Sequence, residues 1–323
     1  MPKRNLLQYI SVAAKGMAMG AADVVPGVSG GTIAFISGIY EELISTIHNI
    51  DLGFFKKWKK EGFRVAWDHY NLAFLLALFG GVAISILSLA KVITWLLSNH
   101  PILVWSFFFG LVIASILYVG KQITKWNIAT GAALILAAAI AYGITLAKPL
   151  GTAESTWFLF FAGFLAIIAM ILPGISGAFI LLLIGAYTGL LSTLSQLGEG
   201  ISKMNWSILS GALMKVGIFL LGAITGLKVF SRILNWMFDH YKDLTLAILT
   251  GFMIGALNKI WPWKEVLSYR TNSHGEEVPF VERSIMPTQY PEDPQILYAV
   301  IFMILGFLSI FILERVAISK TKQ

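Results

Sequence analysis

The sequence predicts an all-α polytopic membrane protein made of two inverted-topology repeats. Each repeat is an interrupted helical hairpin plus two transmembrane helices, with one extra span after it. Three observations carry that expectation: a composition too apolar for water, a series of apolar stretches of span length, and a Pro-Gly motif that occurs twice. Of the 323 residues, 57% are hydrophobic and 13% charged, where a soluble protein has about 25% charged and roughly 45–50% apolar. Mean hydropathy is +0.77. A soluble enzyme is therefore excluded as a class. The net charge of +7 is spread over too little charged surface to form a nucleic-acid groove. With no cysteine there is neither a disulfide framework nor thiol chemistry. No cleavable signal pattern follows Met1 to Arg4, so the N-terminus is expected to be mature.

A span needs about 20 mostly apolar residues. Residues 71–97, 102–120, 128–147, 207–227, 244–262 and 295–314 meet that need. Two longer apolar stretches, 5–50 and 157–194, are broken by Pro-Gly near their middles. At about 1.5 Å per residue each is too long for a single crossing of a ~30 Å core. Each is read as a helix that enters, breaks and returns to its starting face. Two complete short spans give the same topology count. With the N-terminus inside, segments 1–4, 51–70, 121–127, 228–243 and 315–323 carry fifteen Lys and Arg, and the outer segments carry five. That bias predicts both termini in the cytoplasm. The cluster Lys56, Lys57, Lys59, Lys60 and Arg64 reads as a headgroup anchor, and the polar stretch 263–294 as a cap or tether on the outer side.

The two interrupted stretches resemble each other. Val25-Pro26-Gly27-Val28-Ser29-Gly30-Gly31 answers Leu172-Pro173-Gly174-Ile175-Ser176-Gly177-Ala178 at an offset of 147, and ten of the 21 positions from 26 to 46 are identical. A second register, offset 141, matches Gly81 with Gly222, Trp95 with Trp236 and Gly110 with Gly251. The units are thus 1–127 and 157–262, joined by 128–156 and followed by the loop 263–294 and the last span with its tail, 295–323. Three spans between the copies reverse the second relative to the first. Inverted repeats with broken helices are a transporter architecture, with the site at their interface near the midplane.

The chemistry expected at the breaks is anion binding. Proline fits the first turn of a helix, glycine admits close approach, and Ser29 and Ser176 are placed to cap the returning helices. Two helix N-termini aimed at one place bring bare amides and partial positive charge. The expected phosphate ligands are Gly27, Ser29, Gly30, Gly31, Thr32, Gly174, Ser176 and Gly177. Gly16/Gly20, Gly185/Gly189 and Gly251/Gly255 are read instead as helix-packing pairs. Ionisable residues inside spans are costly and mark function. Lys15 and Lys215 are expected to reach the phosphate, and Asp23 and Glu41 to serve ion coupling. Glu42, like Glu41, falls near the headgroups, and Lys91 and Lys259 are expected to snorkel to the interface. The five histidines lie at segment ends or in loops without metal-ligand spacing, and no catalytic grouping is visible.

The run Gly20-Ala21-Ala22-Asp23-Val24-Val25-Pro26-Gly27-Val28-Ser29-Gly30-Gly31-Thr32, with Leu172-Pro173-Gly174-Ile175-Ser176-Gly177, resembles the bacterial polyprenyl-phosphate transporter family, the undecaprenyl-phosphate translocases. The resemblance covers nearly the whole chain. It implies a flippase of the bacterial cytoplasmic membrane that returns undecaprenyl phosphate from the outer to the cytoplasmic leaflet for cell-wall and surface-glycan synthesis. The sequence departs from symmetry where Ala178-Phe179 stand opposite Gly31-Thr32, so the second half is expected to offer the phosphate fewer polar contacts. Polyprenyl-phosphate and membrane lipids are the expected partners. No nucleic acid and no cofactor are expected. A transporter or channel for a small soluble anion shares the same dipole logic, and a lipid-phosphate enzyme is the remaining alternative.

Overall fold

The computed structural model describes residues 4–25, 28–51, 53–147, 155–271 and 277–319. Pro26 and Gly27 lie outside them, as does the side chain of Lys91. Helix α1 (Leu6–Val24) begins where Asn5 and Gln8 satisfy each other's amides in a capping box. It stops just before the Pro-Gly pair, where the ring removes a donor and crowds the preceding turn. Beyond the break come two short helices, α2 (Gly30–Ile36) and α3 (Tyr40–Asn49), hinged at Gly38 with φ +70°. All seven residues of α2 are buried, so this half-helix is the centre of the molecule. The basic stretch folds as two short helices, α4 (Gly53–Glu61) and α5 (Phe63–His69), with exposed Phe55, Trp58 and Phe63 beside the lysines.

Long apolar helices follow: α6 (Leu72–Asn99), α7 (Pro101–Gly120) and α8 (Ile128–Leu146). The pattern then returns with α9 (Thr156–Ile171), α10 (Gly177–Leu183), α11 (Tyr187–Ser202), α12 (Trp206–His240) and α13 (Lys242–Ala256). Element boundaries repeat at the offsets seen in the sequence. Helix α10 starts and ends 147 residues after α2, and Gly185 takes φ +76° where Gly38 takes +70°. The turn at His100 (φ −136°, ψ 50°) returns at Tyr241 (φ −138°, ψ 49°), 141 residues later.

Packing repeats as well. Helix α1 lies on α6, and α9 on α12. A Cβ on Gly16 would stand 2.1 Å from the Leu78 carbonyl oxygen, and one on Gly163 2.1 Å from that of Phe219. Gly81 and Gly222 meet the Ala13 and Phe160 carbonyls in the same way. Helix α7 pairs with the last helix, α14 (Ile296–Ser319), as α13 pairs with α8. These are the small-residue contacts of membrane helices, where close backbone approach replaces a hydrophobic driving force. Gly16, Gly20, Gly251 and Gly255 fill that role as expected. The pair Gly185/Gly189 does not, because Gly185 is a turn and nothing stands near Gly189.

By length and composition four helices among the described residues are able to cross a membrane, in α6, α7, α8 and α12, and the pair α10–α11, bent by 108°, makes a fifth. Their outer faces carry exposed Leu76, Leu87, Leu136, Leu221 and Ile224. This is a mostly helical polytopic membrane protein. Three expectations need correction. The segment 244–262 is a helix of only 15 residues, because α13 stops at Ala256 and runs into turns. The span 207–227 does not end before the inner segment 228–243: α12 continues through it to His240, and its Lys228 ammonium caps the end of α3 at the carbonyls of Ile47 (2.8 Å) and His48 (3.3 Å). Finally, the stretch 263–294 holds an antiparallel hairpin, β1 (Lys264–Thr271) with β2 (Glu277–Ser284), so the fold is not purely α. Indole bonds at its base hold the hairpin. Trp261 donates to the Ile285 carbonyl and Trp263 to that of Pro294, each at 2.8 Å.

Candidate functional site: two helix breaks and a buried charge cluster

The two breaks meet, but they are not equivalent. A helix that ends in an apolar interior leaves carbonyls that must find donors. The end of α9 finds them in the first motif. Ser29 Oγ donates to the Met170 carbonyl (3.1 Å) and lies 3.3 Å from that of Leu172, and the Tyr40 hydroxyl donates to the Ile171 carbonyl at 3.0 Å. In return the Gly174 amide donates to Thr32 Oγ1 at 3.0 Å. Gly174 holds φ +88°, a left-handed backbone that favours glycine. Gly31 lets the chains touch, since a Cβ there would be 2.5 Å from the Ile171 oxygen.

At the first break the amides are already engaged. Ser29 caps α2 through the Gly31 amide at 3.1 Å. The Gly30 amide donates to Asp23 Oδ1 at 2.6 Å. An acid in the last turn of α1 is badly placed for that helix's dipole, and the start of α2 supplies what it lacks. A protein carboxylate thus sits where an external anion was expected.

At the second break those places are open. Ser176 makes no side-chain cap, contrary to its expected role. The amides of Ser176 through Phe179 have no hydrogen-bond acceptor among the described residues. Beside them is a small recess lined by Ala141, Ile144, Thr145, Gly174, Ile175, Ser176, Phe179 and Lys259. Phe179 does not impoverish this half. Its ring carries the Lys259 ammonium 4.8 Å from the centroid, a cation–π contact.

Lys259 opens onto a charge cluster at the hairpin base. Its ammonium lies 3.3 Å from Glu282 Oε2, and the Lys264 ammonium lies 3.7 Å from the same oxygen. Lys264 is buried, stands 3.3 Å over the Trp105 ring and makes no hydrogen bond of normal length. Burial pushes its pKa down to about 7, against the pull of Glu282. Burial raises the Glu282 carboxyl, but Lys264 and Lys259 outweigh it and hold it below the usual range.

The other expected residues lie elsewhere. Lys15 reaches the far end of α2, donating to the Ser37 carbonyl at 2.6 Å. A cation suits a helix C-terminus, so this residue supports α2 from the end opposite the break. Lys215 is exposed on α12 and does not line the recess. Glu41 pairs with Lys242 at 2.8 Å on the surface, and Glu42 with Arg4 and Asn71, so neither joins Asp23. Gly177 faces α9: a Cβ there would lie 2.6 Å from the Ala166 oxygen. The residues that sequence reasoning undervalued are Lys259, Lys264 and Glu282. The last two lie in a loop whose strands were not anticipated.

The family described as undecaprenyl phosphate translocase-like matches residues 19–278. A protein of Vibrio cholerae named polyprenyl-phosphate transporter is 45% identical over 315 residues, 96% of this chain and 98% of its own. A Staphylococcus aureus protein of the same name is 34% identical over 260 residues, 77% of this chain and 84% of its own. No solved structure matches. The chain belongs to the undecaprenyl phosphate translocase-like family.

Proposed function

We propose that this protein carries a polyprenyl phosphate lipid between the leaflets of the bacterial cytoplasmic membrane, with the phosphate received in the recess at the second helix break. The observation that carries the reading is the asymmetry of the breaks. Ser29, Thr32 and Asp23 are spent on the protein itself, while Ser176, Phe179 and Lys259 border a small recess and the first amides of α10 have no acceptor among the described residues. A phosphate monoester needs what that recess offers: several donors, one cation and backbone that admits close approach. The names of the two relatives supply the lipid class, and they point to transport rather than catalysis.

In this reading the two halves are inverted-topology repeats, because α6, α7 and α8 carry the chain across between them. The termini lie in the cytoplasm and the β-hairpin outside. The isoprenoid tail stays in lipid while the headgroup passes the junction of the breaks. Asp23, holding the Gly30 amide, is the group that takes a coupling proton as the halves rearrange. Transport runs from the outer to the cytoplasmic leaflet.

The test is leaflet exchange of labelled undecaprenyl phosphate in sealed proteoliposomes, with and without a pH gradient and with free phosphate assayed in parallel. Protein-dependent exchange of unchanged lipid is expected. Uptake of a soluble phosphate without lipid exchange, or release of inorganic phosphate, contradicts the reading.

A further inference from the structure

One carboxylate oxygen, Glu282 Oε2, lies between two ammonium groups, at 3.3 Å from Lys259 and 3.7 Å from Lys264. The three residues come from different places: the turn after α13, the first residue of β1 and the middle of β2. Lys264 is 8% exposed along its side chain, and its ammonium has no hydrogen-bond partner of normal length. A buried ammonium left so is costly unless an anion completes it. Glu282 completes it poorly, because its nearer contact goes to Lys259. Lys259 also lines the recess beside Ser176, so one cation of the pair faces it. A phosphate monoester has three oxygens where the carboxylate has two, so it offers an acceptor to each ammonium and a third besides.

We infer that Glu282 is a resident counter-ion, and that a phosphate monoester headgroup displaces it from Lys259 and Lys264 on its way into the recess. The inference rests on the reading that the recess takes the phosphate, and adds the receiving residues and the part played by the hairpin. Strand β2 then carries a plug. It keeps the two lysines neutralised when no substrate is present, and lets go when a dianion arrives. A lipid headgroup and free phosphate share this chemistry.

The experiment uses the full-length protein in nanodiscs and counts bound undecaprenyl phosphate by native mass spectrometry. The uncharged polyprenol serves as control and inorganic phosphate as competitor. Removing the internal competitor with Glu282→Gln is expected to tighten the phosphate lipid about threefold, the scale of a part-exposed ion pair. Lys264→Met, which keeps an apolar chain over Trp105, and Lys259→Gln are each expected to weaken it about tenfold. Polyprenol binding is expected to stay unchanged throughout. Weakening by Glu282→Gln as large as that by Lys264→Met, in protein that melts like the wild type, overturns the inference and makes Glu282 a structural clamp. So does a parallel change in polyprenol binding. If inorganic phosphate gains the increment in Glu282→Gln and the lipid does not, the exchange stands but its ligand is free phosphate. Wild-type protein that binds the lipid but never moves it between leaflets defeats the transport reading and leaves the counter-ion exchange intact.

Discussion

At the scale of single residues, the account turns on which polar groups are already used. Ser29 and Ser176 occupy matching places in the two motifs, yet only Ser29 caps its helix, because the α9 carbonyls lie within its reach. The sequence displays the pair of serines but not which one is spent. That depends on contacts across 141 residues of chain. Ser176→Leu fills the recess without touching the core, and is expected to slow lipid exchange about tenfold at unchanged melting temperature, an overpacking cost near 1–3 kcal/mol falling on the bound state. Asp23→Asn replaces a charged acceptor by a neutral one at the Gly30 amide. It is expected to lower thermal stability by about 1 kcal/mol and to abolish any response of exchange to a pH gradient, read in the same proteoliposomes. Lys264 makes a prediction about pH. Its folded pKa is depressed to about 7 by burial, while an unfolded lysine keeps its proton to about 10.4. The unfolded state therefore binds more protons between those values, and stability rises with pH across that window by up to about 1.4 kcal/mol per unit. Lys264→Met removes this contribution, so its melting temperature should exceed that of wild type most at pH 6 and least at pH 10.

At the scale of elements, most of the helices were legible. The apolar runs locate α6, α7 and α8 within two residues, because long uninterrupted hydrophobic segments leave no competing structure. The breaks were legible too, since Pro-Gly punctuates a helix wherever it falls. Two elements and one candidate site residue were not read correctly, each for a physical reason. The span was expected to end at 227, with basic residues marking an inner segment at 228–243, but Lys228 and Arg232 ride on a continuing helix, Lys228 as the cap of α3. The repeat itself places that turn at Tyr241, opposite His100, so the information was present at offset 141. The β-hairpin was missed because its hold is tertiary: two indole N–H groups and the Lys–Glu cluster fix it to the membrane domain. Lys215 was expected at the centre because it lies part-way along a span, and the helix face it occupies turned out to be the exposed one. The contact between the breaks gives a paired test. Gly31→Ala drives a Cβ to 2.5 Å from the Ile171 oxygen, a backbone atom that cannot rotate away. It is expected to cost about 1–3 kcal/mol. Gly189→Ala meets nothing within 4 Å and should leave the melting temperature unchanged or slightly raised.

At the scale of the whole molecule, two similar halves have become unlike at the place where they meet. The packing of α1 on α6 and α9 on α12 matches at Gly16 and Gly163 and at Gly81 and Gly222, and the exchange of α8 and α14 between halves is the same again. Symmetry of scaffold with asymmetry of charge suits a carrier: equivalent halves exchange conformations easily, while one break holds its own carboxylate and the other leaves its amides open, as the proposed phosphate seat requires. The proposed orientation predicts that a cysteine at Lys57 is labelled only from the cytoplasmic side and one at Gln289 only from outside. The natural chain contains no cysteine to confuse the result. Labelling of both from one side contradicts the topology. The claim that the phosphate seats at the second break is tested most directly by photo-crosslinking an undecaprenyl phosphate analogue, reactive next to its phosphate, to the wild-type protein and mapping the adducts. The account predicts adducts in 174–179 and at Lys259, lost when unlabelled lipid is in excess. Adducts confined to 28–32, with none in 174–179, would contradict it.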